Sequence, residues 1–135
     1  MTDTEWRHIL ETLRDLSDIN AAALDATRLH KEASVEDLPG LMGLLGDEDA
    51  YVREAAAWPI SELAGPSALP DLLLAYQRGF EEGFDNDGFT TALLELVQAE
   101  PDTVRKVLQS LSKSDVVALR ENATWLQGFC KSSDP

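Results

Sequence analysis

The sequence predicts an all-α protein assembled from repeated helix pairs. Two nearly identical stretches, 52–58 and 119–125, lie 67 positions apart and share an Arg-Glu pair near the start and a Trp at the end. Apolar residues recur at relative positions 0, 3, 4 and 7, the spacing of one helix face, and strand-like alternation is nearly absent. Because a chain that reuses one unit usually stacks it, we expect about eight helices in four pairs.

The first helix of each pair carries the most regular apolar stripe. The four stripes begin at these residues: Trp6, Leu38, Leu69 and Val104. Successive units are therefore 32, 31 and 35 residues long. Pro39, Pro70 and Pro101 fall in the first turns of three of these helices, where a missing N–H group costs nothing because it would have no partner.

A second stripe follows each polar turn and predicts the other helix of the pair, most clearly over 52–63. We expect one domain covering residues 1–135. Its four units span about 4–32, 36–65, 67–98 and 101–130, and a disordered tail covers 131–135. The stripes predict that the following residues are buried: Leu41, Leu45, Val52, Ala56, Leu63, Leu72, Leu93, Val107, Leu111, Leu119, Ala123 and Leu126.

The second unit resembles a known repeat. The pattern is carried by these segments: Leu38-Pro39-x-Leu41, Leu45-x-Asp47-x-Asp49, Val52-Arg53-x-x-Ala56 and a closing Leu63. It resembles a HEAT repeat, most fully in 36–65 and partly in the two later units. The resemblance implies a right-handed α-α superhelix, a solenoid with the first helices outside and the second helices on an inner face. It also implies that Asp47 and Arg53 are structural and that the function is binding, usually of proteins.

The charge of the chain is strongly acidic and unevenly spread. The formal net charge is −14, yet residues 101–135 carry four acids against five bases. The preceding part of the chain should repel nucleic acid and anionic membranes, which are bound mainly through Lys and Arg. The acidity either keeps the protein soluble or matches a basic protein partner. A single cysteine and the absence of a signal peptide or apolar span favour the cytoplasm.

Motifs for catalysis, metals or cofactors are not evident. Asp85-Asn86-Asp87-Gly88 has the wrong register for a calcium loop, because glycine at the sixth position would put Leu94 where the twelfth, acidic ligand belongs. His8 and His30 lie on different predicted helices without a further His or Cys nearby. We therefore expect no metal, no cofactor and no catalytic residue.

The turn between the helices of the third unit predicts a binding site. It spans 13 positions from Tyr76 to Phe89, against seven in the second unit, and insertions in repeat proteins commonly form binding loops. The residues that we assign to a mobile acidic loop for a partner are Glu81, Glu82, Phe84, Asp85 and Asp87. The alternative is that Phe80 and Phe84, four positions apart, prolong the first helix and pack inward.

The inner face of the second unit completes the predicted site. Trp58 and Trp125 occupy equivalent positions, on the flank of the apolar stripe. Such residues either pack between repeats or stay exposed for a partner. In the second case Trp58 would lie beside Glu54 and Glu62, and these three residues would join the acidic loop in contacting a basic surface.

The most concrete function from these observations is a non-catalytic protein-binding module, a small acidic inhibitor or immunity-type protein that caps a basic protein. The analogy rests on size and charge. One alternative is a scaffold subunit that uses apolar end faces. A third is an enzyme, since the resemblance includes a few lyases and DNA glycosylases, although the acidic charge opposes a glycosylase. The oligomeric state and the partner are left open.

Overall fold

A computed structural model describes residues 1–15 and 17–130, and in this part the chain is helical without a strand. Eight α-helices follow one another with these bounds: α1 Asp3–Arg14, α2 Ile19–Glu32, α3 Leu38–Leu44, α4 Ala50–Leu63, α5 Leu69–Glu81, α6 Asp87–Ala99, α7 Pro101–Leu111 and α8 Val117–Gln127. Short 3-10 turns, Val35–Asp37 and Gly65–Ala68, lead into α3 and α5. The all-α prediction is confirmed for the described residues, and the predicted tail 131–135 lies outside them.

The helices begin where the sequence places start signals. The Asp49 carboxylate accepts hydrogen bonds from the backbone N–H groups of Tyr51 (2.8 Å) and Val52 (3.4 Å), the first N–H groups of α4 that lack a helical partner. The three prolines predicted for first turns lie at the first or second position of α3, α5 and α7. Local chemistry therefore fixes these helix starts.

The two repeated stretches share their hydrogen bonding. The side chains of Asp47 and Ser114, 67 positions apart, each accept a hydrogen bond from the backbone N–H group two residues later. In each case an arginine six residues on donates back to the carbonyl of the same turn residue, Arg53 at 2.7 Å and Arg120 at 3.1 Å. The turns before α4 and α8 thus share these two hydrogen bonds, although their own residues differ.

The helices of the third unit pack differently from those of the other units. Helix pairs α1–α2, α3–α4 and α7–α8 each form a close contact, as predicted, whereas α5 packs most extensively on α8, and α6 packs most extensively on α4. Helices α2, α4 and α6 lie side by side in one row, with α4 in the centre. This row carries the groove described below.

The core follows the predicted stripes apart from four residues at its margin. Eight of the twelve residues predicted as core are buried, and the other four are half-buried at its margin: Leu63, Val107, Leu111 and Leu119. Leu63 and Leu111 end α4 and α7, and Leu119 lies in the first turn of α8. Residues in terminal turns have fewer neighbours than those at mid-helix, so the spacing alone overestimates their burial.

Candidate functional site

The connection between α5 and α6 is a closed turn and not the long loop that the sequence predicts. Helix α5 runs on to Glu81, which leaves five residues before α6. The Phe84 N–H group donates to the Gly79 carbonyl (2.9 Å), and the Gly83 N–H group donates to the Phe80 carbonyl (3.0 Å). With Gly83 at φ +90°, these bonds form a Schellman motif that closes the helix. The helix is prolonged as in the alternative interpretation, but Phe80 and Phe84 stay exposed.

Asn86 fastens this turn to α5. It is buried, adopts a left-handed backbone conformation (φ 60°), and donates from Nδ2 to the Tyr76 carbonyl at 2.7 Å. Its side-chain amide occupies the space beside Gly79, where a Cβ atom would overlap with it. The turn therefore depends on glycine at position 79.

We expect Gly79→Ala to lower the free energy of unfolding by about 1–3 kcal/mol, because the added methyl group displaces Asn86. The loss should appear even though alanine favours helices over glycine by about 1 kcal/mol. Urea denaturation measures it. The matched control is Gly43→Ala in α3, where a Cβ atom meets no other atom within 4 Å. Equal stabilisation by both substitutions would contradict this role for Asn86.

Glu82, which the sequence assigns to partner binding, makes two ion pairs within the protein. Its carboxylate pairs with the guanidinium of buried Arg53 and, at 2.8 Å, with that of Arg78. These two arginines lower the pKa of Glu82, and the Arg53 pair connects α4 to the end of α5. The Glu82 carboxylate therefore contributes to the scaffold through Arg53 and Arg78.

A groove between α4 and α6 gathers the best candidate residues, in a volume of about 350 Å³. Residues of α4 form one wall: Tyr51, Glu54 and Trp58. Residues of α6 form the other: Gly88, Thr91 and Glu95. Three alanines, Ala26, Ala55 and Ala92, complete the lining. Small residues at the helix contact let α4 and α6 approach closely, and the larger side chains frame the opening.

Glu54 is the charged group at the centre of this groove. It is half-buried, and its carboxylate lies in the space that a side chain at Gly88 would fill. Burial raises the pKa of Glu54, and the negative charges of Asp85 and Asp87 raise it further. No basic side chain in the described part of the chain pairs with Glu54. The groove thus contains a carboxylate whose charge nothing nearby compensates.

Trp58 combines the two roles that the sequence leaves open. Its indole stacks on the His30 ring of α2, with centroids 3.8 Å apart and planes 12° apart. The side chain is still 38% exposed and lines the groove. Glu62, one turn further along α4, lies near His30, with 2.8 Å between its Oε2 and His30 Nε2 but without hydrogen-bonding geometry. Trp58 therefore packs between helices and also offers an aromatic surface.

The predicted site residues divide into three groups. Glu54, Trp58, Asp85 and Asp87 meet at or beside the groove. Glu62 contacts His30 instead, and Glu82 is structural. Glu81 and Phe84 are exposed without a described contact to the groove.

Sequence reasoning missed the α6 wall. The lining positions 88, 91, 92 and 95 follow helical spacing, but the signal was hidden because α6 was expected to pack against α5. The spacing of these four residues predicts that they share one helix face, but it does not predict which helix that face contacts.

A second exposed feature lies where α5 meets α8. The Trp125 ring stacks on Tyr76 with centroids 5.4 Å apart, and Phe80 and Phe129 contact these rings edge-on at 4.8 and 5.3 Å. Phe80, Trp125 and Phe129 are 45%, 37% and 47% exposed. We call these three residues the aromatic patch. The i, i+4 pairs Tyr76–Phe80 and Trp125–Phe129 signal it in the sequence.

No known protein family, curated protein or solved structure gives a significant match to this chain. The described residues contain no group of three or more His, Cys, Asp or Glu side chains placed to hold a metal ion. In the same part of the chain, no helix has the length and apolar character that crossing a bilayer requires. The groove and the aromatic patch are therefore the features of the described residues that bear on function.

Proposed function

We propose that this chain is a non-catalytic protein-binding module, a small acidic inhibitor or immunity-type protein of the cytoplasm that caps a basic protein surface. The observation that carries the proposal is the uncompensated Glu54 carboxylate in the α4–α6 groove, beside Asp85 and Asp87. The half-buried Glu54 carboxylate close to two exposed carboxylates, Asp85 and Asp87, raises the free energy of the unbound protein. A basic partner relieves that repulsion on binding.

The wider charge distribution supports the same partner. Residues 1–100 carry 21 acidic against six basic side chains, and the groove lies within this part. A field of one sign over a concave surface accelerates encounter with an oppositely charged protein and selects against acidic ones. Nucleic acid, which is itself anionic, does not fit this surface.

The proposal includes a HEAT-like architecture. The shared hydrogen bonds of the turns before α4 and α8 and the contacts of α4 with α2 and α6 support stacked helices. The resemblance to a HEAT repeat implies that the stack is a right-handed α-α superhelix with α2, α4 and α6 as its inner layer. In such a solenoid the inner layer is the usual binding surface. The acidic groove would then lie on that surface.

The proposal predicts that removing three charges at the groove weakens partner binding. In Glu54→Gln/Asp85→Asn/Asp87→Asn, association with a basic partner isolated from the source cells should slow by roughly tenfold or more at low salt and become less salt-dependent. The matched control is Asp102→Asn/Asp115→Asn/Glu121→Gln, which removes the same charge from α7, α8 and their connection. Stopped-flow or surface plasmon measurements over a salt series compare the two. Equal association rates for both triple variants would contradict the proposal.

A scaffold subunit is the second candidate, and the aromatic patch favours it. Three half-exposed aromatic rings on α5, α8 and the segment just after α8 are typical of the apolar centre of a protein interface. Binding through this patch would change little with salt, because it removes apolar area from water and pairs few charges. Loss of partner binding in Trp125→Ala, with no effect of the groove variant, would favour this function.

A further inference from the structure

We infer that the α4–α6 groove receives one arginine side chain of the partner, with its guanidinium between the Glu54 carboxylate and the Trp58 indole. The inference rests on the proposed function, because it names the group of the basic partner that enters the groove. The partner would then be recognised through one arginine in a specific pocket, in addition to the general attraction between charged surfaces.

The size and lining of the groove suit a single long side chain. Its volume of about 350 Å³ lies at the lower end of the range of about 300–1,000 Å³ for ligand sites. The three alanines leave room for an aliphatic stem, while the space beside Gly88 is taken by the Glu54 carboxylate, to which the cation would pair. A long cationic side chain buries its methylene groups against such apolar surface and places its charged end on a carboxylate.

The position of Glu54 indicates that the occupant is a cation. The carboxylate lies deeper than Asp85 and Asp87, which are exposed, and it has no basic neighbour among the described residues. Glu95 adds a further carboxylate to the opposite wall. A cation in the groove would therefore meet acidic groups on both walls.

The aromatic wall selects arginine over lysine. One side of the Trp58 indole is covered by His30, and Trp58 is 38% exposed and lines the groove, with Tyr51 on the same wall. A planar guanidinium stacks on an aromatic face and pairs with a carboxylate through two parallel hydrogen bonds. The compact, strongly hydrated ammonium group of lysine gains less from such a surface.

The repeat provides matched controls for this site. Glu121 and Trp125 occupy the positions of α8 that Glu54 and Trp58 occupy in α4. Glu121 is exposed, and Trp125 stacks on Tyr76 in the way that Trp58 stacks on His30. Changes at these positions remove the same charge and the same stacked ring but lie outside the groove.

The experiment compares synthetic octa-arginine and octa-lysine peptides by isothermal titration calorimetry at low salt. The wild-type protein should bind octa-arginine about tenfold more tightly than octa-lysine, the order that a desolvated cation–π contact provides. Glu54→Gln and Trp58→Leu should each reduce that ratio to about twofold or less. Glu121→Gln and Trp125→Leu should preserve it. Glu54→Gln should also retain the wild-type melting temperature or raise it, because it removes repulsion with Asp85 and Asp87.

The outcomes separate this inference from the proposed function. Equal affinities for the two peptides, or a ratio that survives both groove substitutions, would overturn the arginine pocket while leaving an acidic binding surface. Failure of both peptides to bind at low salt would contradict the proposed function as well. In nitrogen-15 NMR spectra, the indole N–H signal that disappears in Trp58→Leu should shift most when octa-arginine is added to the wild-type protein. A larger shift of the Trp125 indole would place the peptide on the aromatic patch and overturn the inference.

Discussion

Replacing Arg53 by alanine is expected to lower the free energy of unfolding by about 3 kcal/mol. Arg53 is only 1% exposed, and its guanidinium donates to the carbonyls of Asp47 (2.7 Å) and Glu48 (3.2 Å) and pairs with Glu82. Removal of one partner from a buried charged network costs about 3–5 kcal/mol, and the lower value applies because Glu82 is partly exposed. In a domain stable by roughly 5–15 kcal/mol, such a loss is large.

The control for Arg53 is Arg120→Ala, the same position in the other repeated stretch. Arg120 makes the equivalent hydrogen bond to a turn carbonyl, but it is exposed, so its loss should cost less than about 1 kcal/mol. Urea denaturation of both variants gives the comparison, and peptide titration should show that Arg53→Ala retains the binding of the wild type as long as it is folded. Equal stability losses would contradict the predicted effect of burying Arg53. Lost binding without lost stability would show that Arg53 acts in the site and not in the scaffold.

Leu72→Ala is expected to lower the free energy of unfolding by about 2–5 kcal/mol, because Leu72 is fully buried and its truncation leaves a cavity. Leu63→Ala should cost about 1 kcal/mol, since Leu63 is half-buried at the end of α4 and water can fill the space. Differential scanning calorimetry on both variants checks the difference. A loss for Leu63→Ala as large as that for Leu72→Ala would mean that the end of α4 is packed more tightly than its exposure indicates.

The sequence predicted the local features of the fold well. Helix starts at Asp49 and at the three first-turn prolines depend on residues close in sequence, and the match of 52–58 to 119–125 extends to the hydrogen bonds of Arg53 and Arg120. The helical stripes identified the central core positions for the same reason. Local propensity and periodicity are fixed by neighbours along the chain.

Features that depend on distant contacts were predicted less well. The partner of α6 is α4, and no pattern within α6 shows this, so the wall with Gly88 and Glu95 was missed. Glu82 looked like one of several loop acids, but it pairs with Arg53, 29 positions earlier. The predicted long loop became a closed turn because Asn86 bonds back to Tyr76. Each difference follows from a contact that the spacing of residues does not encode.

Amide hydrogen exchange of the protein with and without its basic partner tests the central claim most directly. If the partner binds the groove, exchange should slow in the segments that line it, 51–58 and 85–95, and the protection should be lost in the groove charge variant. Exchange in 117–130 should stay as in the free protein. Protection confined to 117–130, with 51–58 and 85–95 unchanged, would contradict the account and assign binding to the aromatic patch.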